Sequence, residues 1–152
     1  MADGVIRFVP PRWGIAMTST ITMSPLQVVE GIATFRIGGI CRLPYAIALI
    51  TSAIDQAFEA HHPCCLIDAS ELDGFGSPSV ATRHQMVRAW AQVARGLVTC
   101  ALVVRPEVID AEKIGVIAAR NRGMQCDVFD NVSDARDWLK IAVGFRPGDR
   151  PA

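Results

Sequence analysis

The chain has 152 residues, 51% of them hydrophobic and 20% charged, with 15 basic side chains balanced by 15 acidic ones. That length suits one domain able to bury roughly 70% of its unfolded surface, and the composition is that of an ordinary globular protein. Without a basic excess to displace counterions from phosphates, nucleic acid is not an expected partner.

Residues 1–18 hold Pro10-Pro11 and no sustained hydrophobic period, and read as an N-terminal tail with Phe8 and Trp13 as the side chains to strap it down. Met17 offers an alternative start of translation. Asp3, Arg7 and the two prolines interrupt the apolar run that a secretory signal needs. The folded domain is expected over 19–145. Its first feature is a hairpin, Leu26–Val29 and Ile32–Ile37 flanking Glu30-Gly31. Pro44 suits the first turn of a helix, in which Leu43, Ile47, Ile50, Ile54 and Phe58 recur at steps of three and four. The apolar stretch here, YAIALITSAI from Tyr45, is broken by Thr51, Ser52 and Asp55, too short and too polar to span a bilayer. A cytoplasmic protein is the expectation.

CCLID (Cys64–Asp68) then reads as a strand covered on both faces. A second helix is expected from Pro78 to Arg95, with Val80, Val87, Ala91 and Ala94 on its core face. VTCALVV (Val98–Val104) is the next buried strand. A third helix starts at Asp110, with Ile109 and Ile114 at the spacing of a hydrophobic staple, and closes at Gly123. CDVF (Cys126–Phe129) is the last strand, followed by a helix capped by Ser133 and carrying Ala135, Trp138, Leu139 and Ala142. Residues 146–152, RPGDRPA, form a second tail of turn-formers. Strand and helix alternate after the hairpin, which predicts a single α/β domain: a mixed, mostly parallel sheet of about five strands packed with about four helices.

The five cysteines include no C-x-x-C pair, and Cys64, Cys65, Cys100 and Cys126 read as reduced thiols in apolar strands. Within HHPCC, Cys64 and Cys65 point to opposite faces of a strand and do not share a metal, so neither metal nor cofactor is expected. No catalytic residue is assigned either. His84 lies two helical turns beyond Ser77, about 10 Å along the axis, too far for a general base. Arg120 and Arg122, near the end of the third helix, are cations where the helix dipole favours them. No nucleotide-binding or nucleophile-elbow motif is present.

The order of elements, with Leu66-Ile67-Asp68, Asn121-Arg122-Gly123, and Val128-Phe129-Asp130 followed by Ala135, Trp138 and Leu139, resembles the SpoIIAA-like branch of the STAS superfamily of sulphate transporters and anti-sigma factor antagonists. The likeness covers roughly residues 26–143. It implies a regulatory or binding domain rather than an enzyme, with a protein as partner. In the antagonists of that superfamily a serine in a D-S-[ST]-G pattern at a helix start is phosphorylated, and the charge breaks a complex. Ser77 matches that position, while Gly76, Pro78 and Ser79 depart from the pattern.

A phosphate on Ser77 would meet free N–H groups at a helix N-terminus and add about 1.5 to 2 negative charges. Ser77 followed by Pro78 is equally a plain helix start, hydroxyl as cap and proline in the first turn, and that reading is preferred. The expected working surface is the 70–80 loop with its flanks: Asp68, Ser70, Asp73, Phe75, Ser77 and Ser79. Phe75, at the carboxyl edge of the sheet, either touches a partner or folds over the core. The alternative function is a carrier of a small apolar ligand between helices and sheet, as in the CRAL-TRIO lipid-binding fold often compared with this branch. It requires a cavity above about 300 Å³. Exposed strand edges also permit a homodimer.

Overall fold

The computed structural model describes residues 6–7 and 21–144. Phe8, Trp13, Met17 and residues 146–152 lie outside them. Glu30 and Gly31 both take left-handed backbone angles, φ 51° and 79°, the pair that lets a two-residue turn follow strand twist. They join β3 (Gln27–Val29) to β4 (Ile32–Ile40) in the expected hairpin, with Val29 opposite Ile32. β2 (Ile21–Met23) pairs with the later half of the same β4. Pro25 interrupts the line between β2 and β3, since it has no N–H to give to a ladder. Ser24 bridges the gap: its N–H donates to the Arg36 carbonyl and its Oγ accepts from the Arg36 N–H, each at 2.8 Å. β1 (Ile6–Arg7) adds antiparallel to β2.

From β4 onward the pairings are parallel, to β5 (Cys64–Asp73), β6 (Thr99–Val103) and β7 (Cys126–Phe129). The sheet has seven strands in the order β1-β2-β4-β5-β6-β7, with β3 also beside β4. The two strands beyond the expected five are the short β1 and β2. Because strand order never reverses between β4 and β7, right-handed crossovers put α1 (Leu43–Glu59), α2 (Val80–Ala94) and α3 (Ile114–Asn121) on one face. α4 (Val132–Ala142) feeds no further strand and covers the other face. Alternation along the strands supplies both cores. Cys65, Ile67 and Leu102 face α1–α3, while Cys64, Leu66, Ala101 and Val103 meet Ala135 and Leu139 of α4. The adjacent cysteines do point to opposite faces.

Helix boundaries differ from expectation in three places, each for a local reason. α2 begins at Val80, not Pro78, and Val80 is exposed; its buried face is Val87, Trp90 and Ala94. α3 begins at Ile114 because Lys113 turns left-handed at φ 51°. Asp110 still serves that start, its carboxylate accepting from the N–H groups of Glu112 and Ile114 at 3.1 and 3.0 Å. α4 is capped by Asn131, not Ser133: Asn131 is extended and its Oδ1 accepts from the Asp134 N–H at 2.8 Å. Ser133 is already inside the first turn. Pro44 and the left-handed Gly123, φ 77°, stand where expected.

Candidate functional site

β5 runs five residues past Asp68, its expected end, and carries a bulge on the way. Arg36 lies opposite Asp68 but Gly38 lies opposite Glu71, so β5 has one residue more than β4 across that step. A bulge leaves a backbone N–H out of the ladder. Asp68 meets it, with Oδ1 accepting from the Ser70 N–H at 3.1 Å and from its hydroxyl at 2.6 Å. The extra residue also resets which face each side chain takes. Ala69 and then Leu72 enter the α1–α3 core, while Glu71 turns outward to pair with Arg36 at 3.0 Å. Asp68 and Ser70 therefore serve the strand.

The chain leaves the sheet at Gly74, whose φ is +102°. A Cβ there would lie 2.5 Å from the Cys41 carbonyl oxygen. Glycine thus lets the chain turn against the end of β4, where the Cys41 N–H donates to the Asp73 carbonyl at 2.9 Å. Two arginines then hold the 74–79 loop. Arg105, just beyond β6, pairs with the Asp73 carboxylate at 3.3 Å and donates to the Phe75 carbonyl at 3.3 Å. Phe75 is half-buried and packs on the α1–α3 core, so of its two readings the fold-over is the one observed. Arg83 of α2 donates through Nη2 to Ser77 Oγ at 2.8 Å and to the Val108 carbonyl at 3.1 Å, and through Nε to the Pro78 carbonyl at 3.1 Å.

Ser77 is exposed and does not cap α2, which corrects the preferred sequence reading. The cap is Ser79, whose Oγ accepts from the Thr82 N–H at 3.2 Å. The ring of Pro78 is buried in a cleft beside Phe75 and Met86, which fixes the chain ahead of the helix and delays its start by two residues. Asp73, Phe75, Ser77 and Ser79 thus gather at the carboxyl edge of the sheet, and Asp68 and Ser70 do not. Arg83 and Arg105, which organise the site, carry no sequence motif. Their one signal is position: an arginine straight after a buried strand and another in the first turn of the helix that precedes that strand, both at the edge where alternating β and α units bring loops together. His84, Arg120 and Arg122 are exposed and take no part.

Two apolar clefts open beside the loop, between α1, α2 and the sheet and between α2 and α3. Their cavity volumes are about 40 and about 60 Å³. Ligand pockets run to several hundred Å³, so these clefts fall short of what the carrier reading requires. Burial pushes the Cys64 thiol up to about 11 and the Cys126 thiol up to about 12. A hydrogen bond with Cys65, added to burial, raises Cys100. Among the described residues, no group of three His, Cys, Asp or Glu side chains is placed to hold a metal ion. No helix among them is long and apolar enough to cross a membrane.

No family model matches the sequence. A search of curated proteins finds no relative. In the solved structures the chain is similar to an anti-sigma factor antagonist from Mycobacterium paratuberculosis, at 16% identity over 80% of this chain and 95% of that one, with a TM-score of 0.52. That likeness is one of fold: the α/β architecture implied by the sequence resemblance is the one this chain adopts.

Proposed function

We propose that the protein is a non-enzymatic regulatory domain that binds a protein partner through the 73–80 edge, and that the partner is an anti-sigma factor. The observation that carries this reading is the exposed hydroxyl of Ser77, held at 2.8 Å by Arg83 on a loop fixed to the core at both ends. A rigid, solvent-facing loop presents a surface to a partner with little ordering cost. Phosphorylation of Ser77 would place up to two negative charges on that surface, which is enough to alter a protein interface. The fold is shared with an anti-sigma factor antagonist, which suggests the class of partner and a cytoplasmic setting.

Nearby carboxylates support binding over catalysis. Asp68 is engaged by Ser70, Asp73 by Gly74 and Arg105, and Glu71 by Arg36. The parallel strands also lack the reversal of order at which open α/β sheets form a ligand crevice.

Calorimetric titration against the anti-sigma factors of the source organism tests the reading. The parent and Ser77→Ala should bind one of them with similar affinity, and Ser77→Asp should weaken binding at least about tenfold. Equal binding by all three proteins, or binding by none, would set the reading aside.

A further inference from the structure

Arg83 does more than hold Ser77. One nitrogen, Nη2, donates both to Ser77 Oγ at 2.8 Å and to the Val108 carbonyl at 3.1 Å, 25 residues further along the chain. Val108 ends a short 3₁₀ turn, Pro106–Val108, at the start of the connection from β6 to α3. That connection contains Asp110, which organises the start of α3. Its carboxyl is held below the ordinary value chiefly by the N–H groups of Ile114 and Glu112, with the Arg83 charge adding a smaller part. Gly115, the second residue of α3, lies close enough to Arg83 that an added Cβ would stand 3.9 Å from the arginine's own. Arg83 therefore joins the Ser77 loop, the 106–113 connection and the start of α3.

We infer that Arg83 is a latch that couples charge at position 77 to the 106–113 connection. The guanidinium has a fixed planar fork and cannot follow a new anion without rotating its other donors. A carboxylate or phosphate on residue 77 accepts more strongly than a hydroxyl. It draws Nη2 toward the loop and away from the Val108 carbonyl. Besides its own turn bonds and Asp110, the connection is tied by the packing of Val108 and Ile109 on the core and by the 2.7 Å ion pair of Lys113 with Asp127. With the Val108 bond weakened, its amides open more often. A charge change on one loop is thereby read out on a second surface, beside the cleft lined by Lys113 and Val116. This rests on the reading of Ser77 as a regulatory position, but it needs no partner to be tested.

Backbone hydrogen exchange is the experiment, followed at the amides of Val108, Ile109, Lys113 and Ile114. The proteins are the parent, Ser77→Asp, Arg83→Gln and the double variant, each first shown by thermal melting to be folded. Arg83→Gln should speed exchange in this segment about tenfold, the loss of a hydrogen bond to a charged group. Ser77→Asp should speed it about threefold or more, with α4 unchanged as the internal reference. The double variant should exchange no faster than Arg83→Gln alone. Arg83→Lys, which keeps the charge and loses the fork, serves if Arg83→Gln does not fold, and should also abolish the response to Ser77→Asp. Unchanged or slower exchange in Ser77→Asp overturns the coupling. So does an equal acceleration by Ser77→Asp with and without Arg83. Failure to bind an anti-sigma factor would sink the partner reading and leave this result standing.

Discussion

Gly74→Ala tests whether the loop is positioned by backbone geometry. At φ +102° an alanine is strained whatever the space, and its Cβ would sit 2.5 Å from the Cys41 carbonyl oxygen and 3.0 Å from the Cys41 nitrogen. Both contacts are backbone, so neither can swing aside as a side chain could. Relief requires the end of β5 to part from the end of β4, breaking the 2.9 Å bond from Cys41 N–H to the Asp73 carbonyl. A residue held in a sparsely populated conformation costs about 1–3 kcal/mol, and a lost backbone bond about 0.5–1.5 kcal/mol. Gly74→Ala should therefore destabilise by about 2–4 kcal/mol, read as a lower urea midpoint at unchanged slope. Gly76→Ala is the matched control, two residues away on the same loop with open space at its Cβ and no positive φ. It should stay within about 0.5 kcal/mol of the parent or gain slightly from a stiffer unfolded chain. A Gly74→Ala protein as stable as the parent would refute the argument, as would a Gly76→Ala protein equally damaged.

Three further outcomes follow from the same structure. Ser79→Ala should cost about 1 kcal/mol as the loss of a helix cap, and Ser77→Ala no more than about 0.5 kcal/mol; the opposite ranking would return the cap to Ser77. Leu139→Ala, at a fully buried position that seats α4 on the sheet, should cost about 2–5 kcal/mol. Ile141→Ala, 82% exposed two residues further on, on the opposite face of α4, should be neutral, and equal effects would argue that α4 docks by another face. The Cys64 and Cys126 thiols are raised to about 11 and about 12 in the folded chain, so their contribution to stability is whole at neutral pH. It is lost as pH rises from the unfolded thiol's value near 9 toward those folded values. The urea midpoint should hold between about pH 6 and 8 and fall beyond about pH 9; a midpoint that stays level to about pH 11 would mean these thiols titrate alike in both states.

How far the fold was legible varies from element to element, and the reasons are physical. The hairpin was readable because two β-rich runs flank Glu30-Gly31, where the glycine takes a left-handed angle without steric cost. β5 and β6 were readable as short continuous apolar runs, typical of strands covered on both faces. β5 was read as ending at Asp68 because its outer half is polar. That half persists as strand because the bulge at Ala69-Ser70 changes parity and sends Leu72 inward, and a period-2 pattern cannot anticipate the residue that breaks it. β2 was missed because three residues two positions before a proline carry almost no pattern, and it forms by pairing with the distant β4 and with β1. Helix starts were misplaced where two candidate caps compete. Ser77 and Ser79, or Asn131 and Ser133, offer the same local chemistry.

The sequence by itself determined the alternation of strand and helix and the two faces of the sheet, since these follow from local periods and from residues with restricted backbone angles; Ser77 was singled out by the family resemblance. Which serine caps and which faces solvent was decided only in the folded chain. There the burial of Pro78 against Phe75 and Met86 delays α2 by two residues. The arginines that hold the loop, Arg83 and Arg105, were likewise beyond any local pattern. Their partners lie 5 to 32 residues away along the chain, and only the stacking of parallel strands brings those ends to one edge.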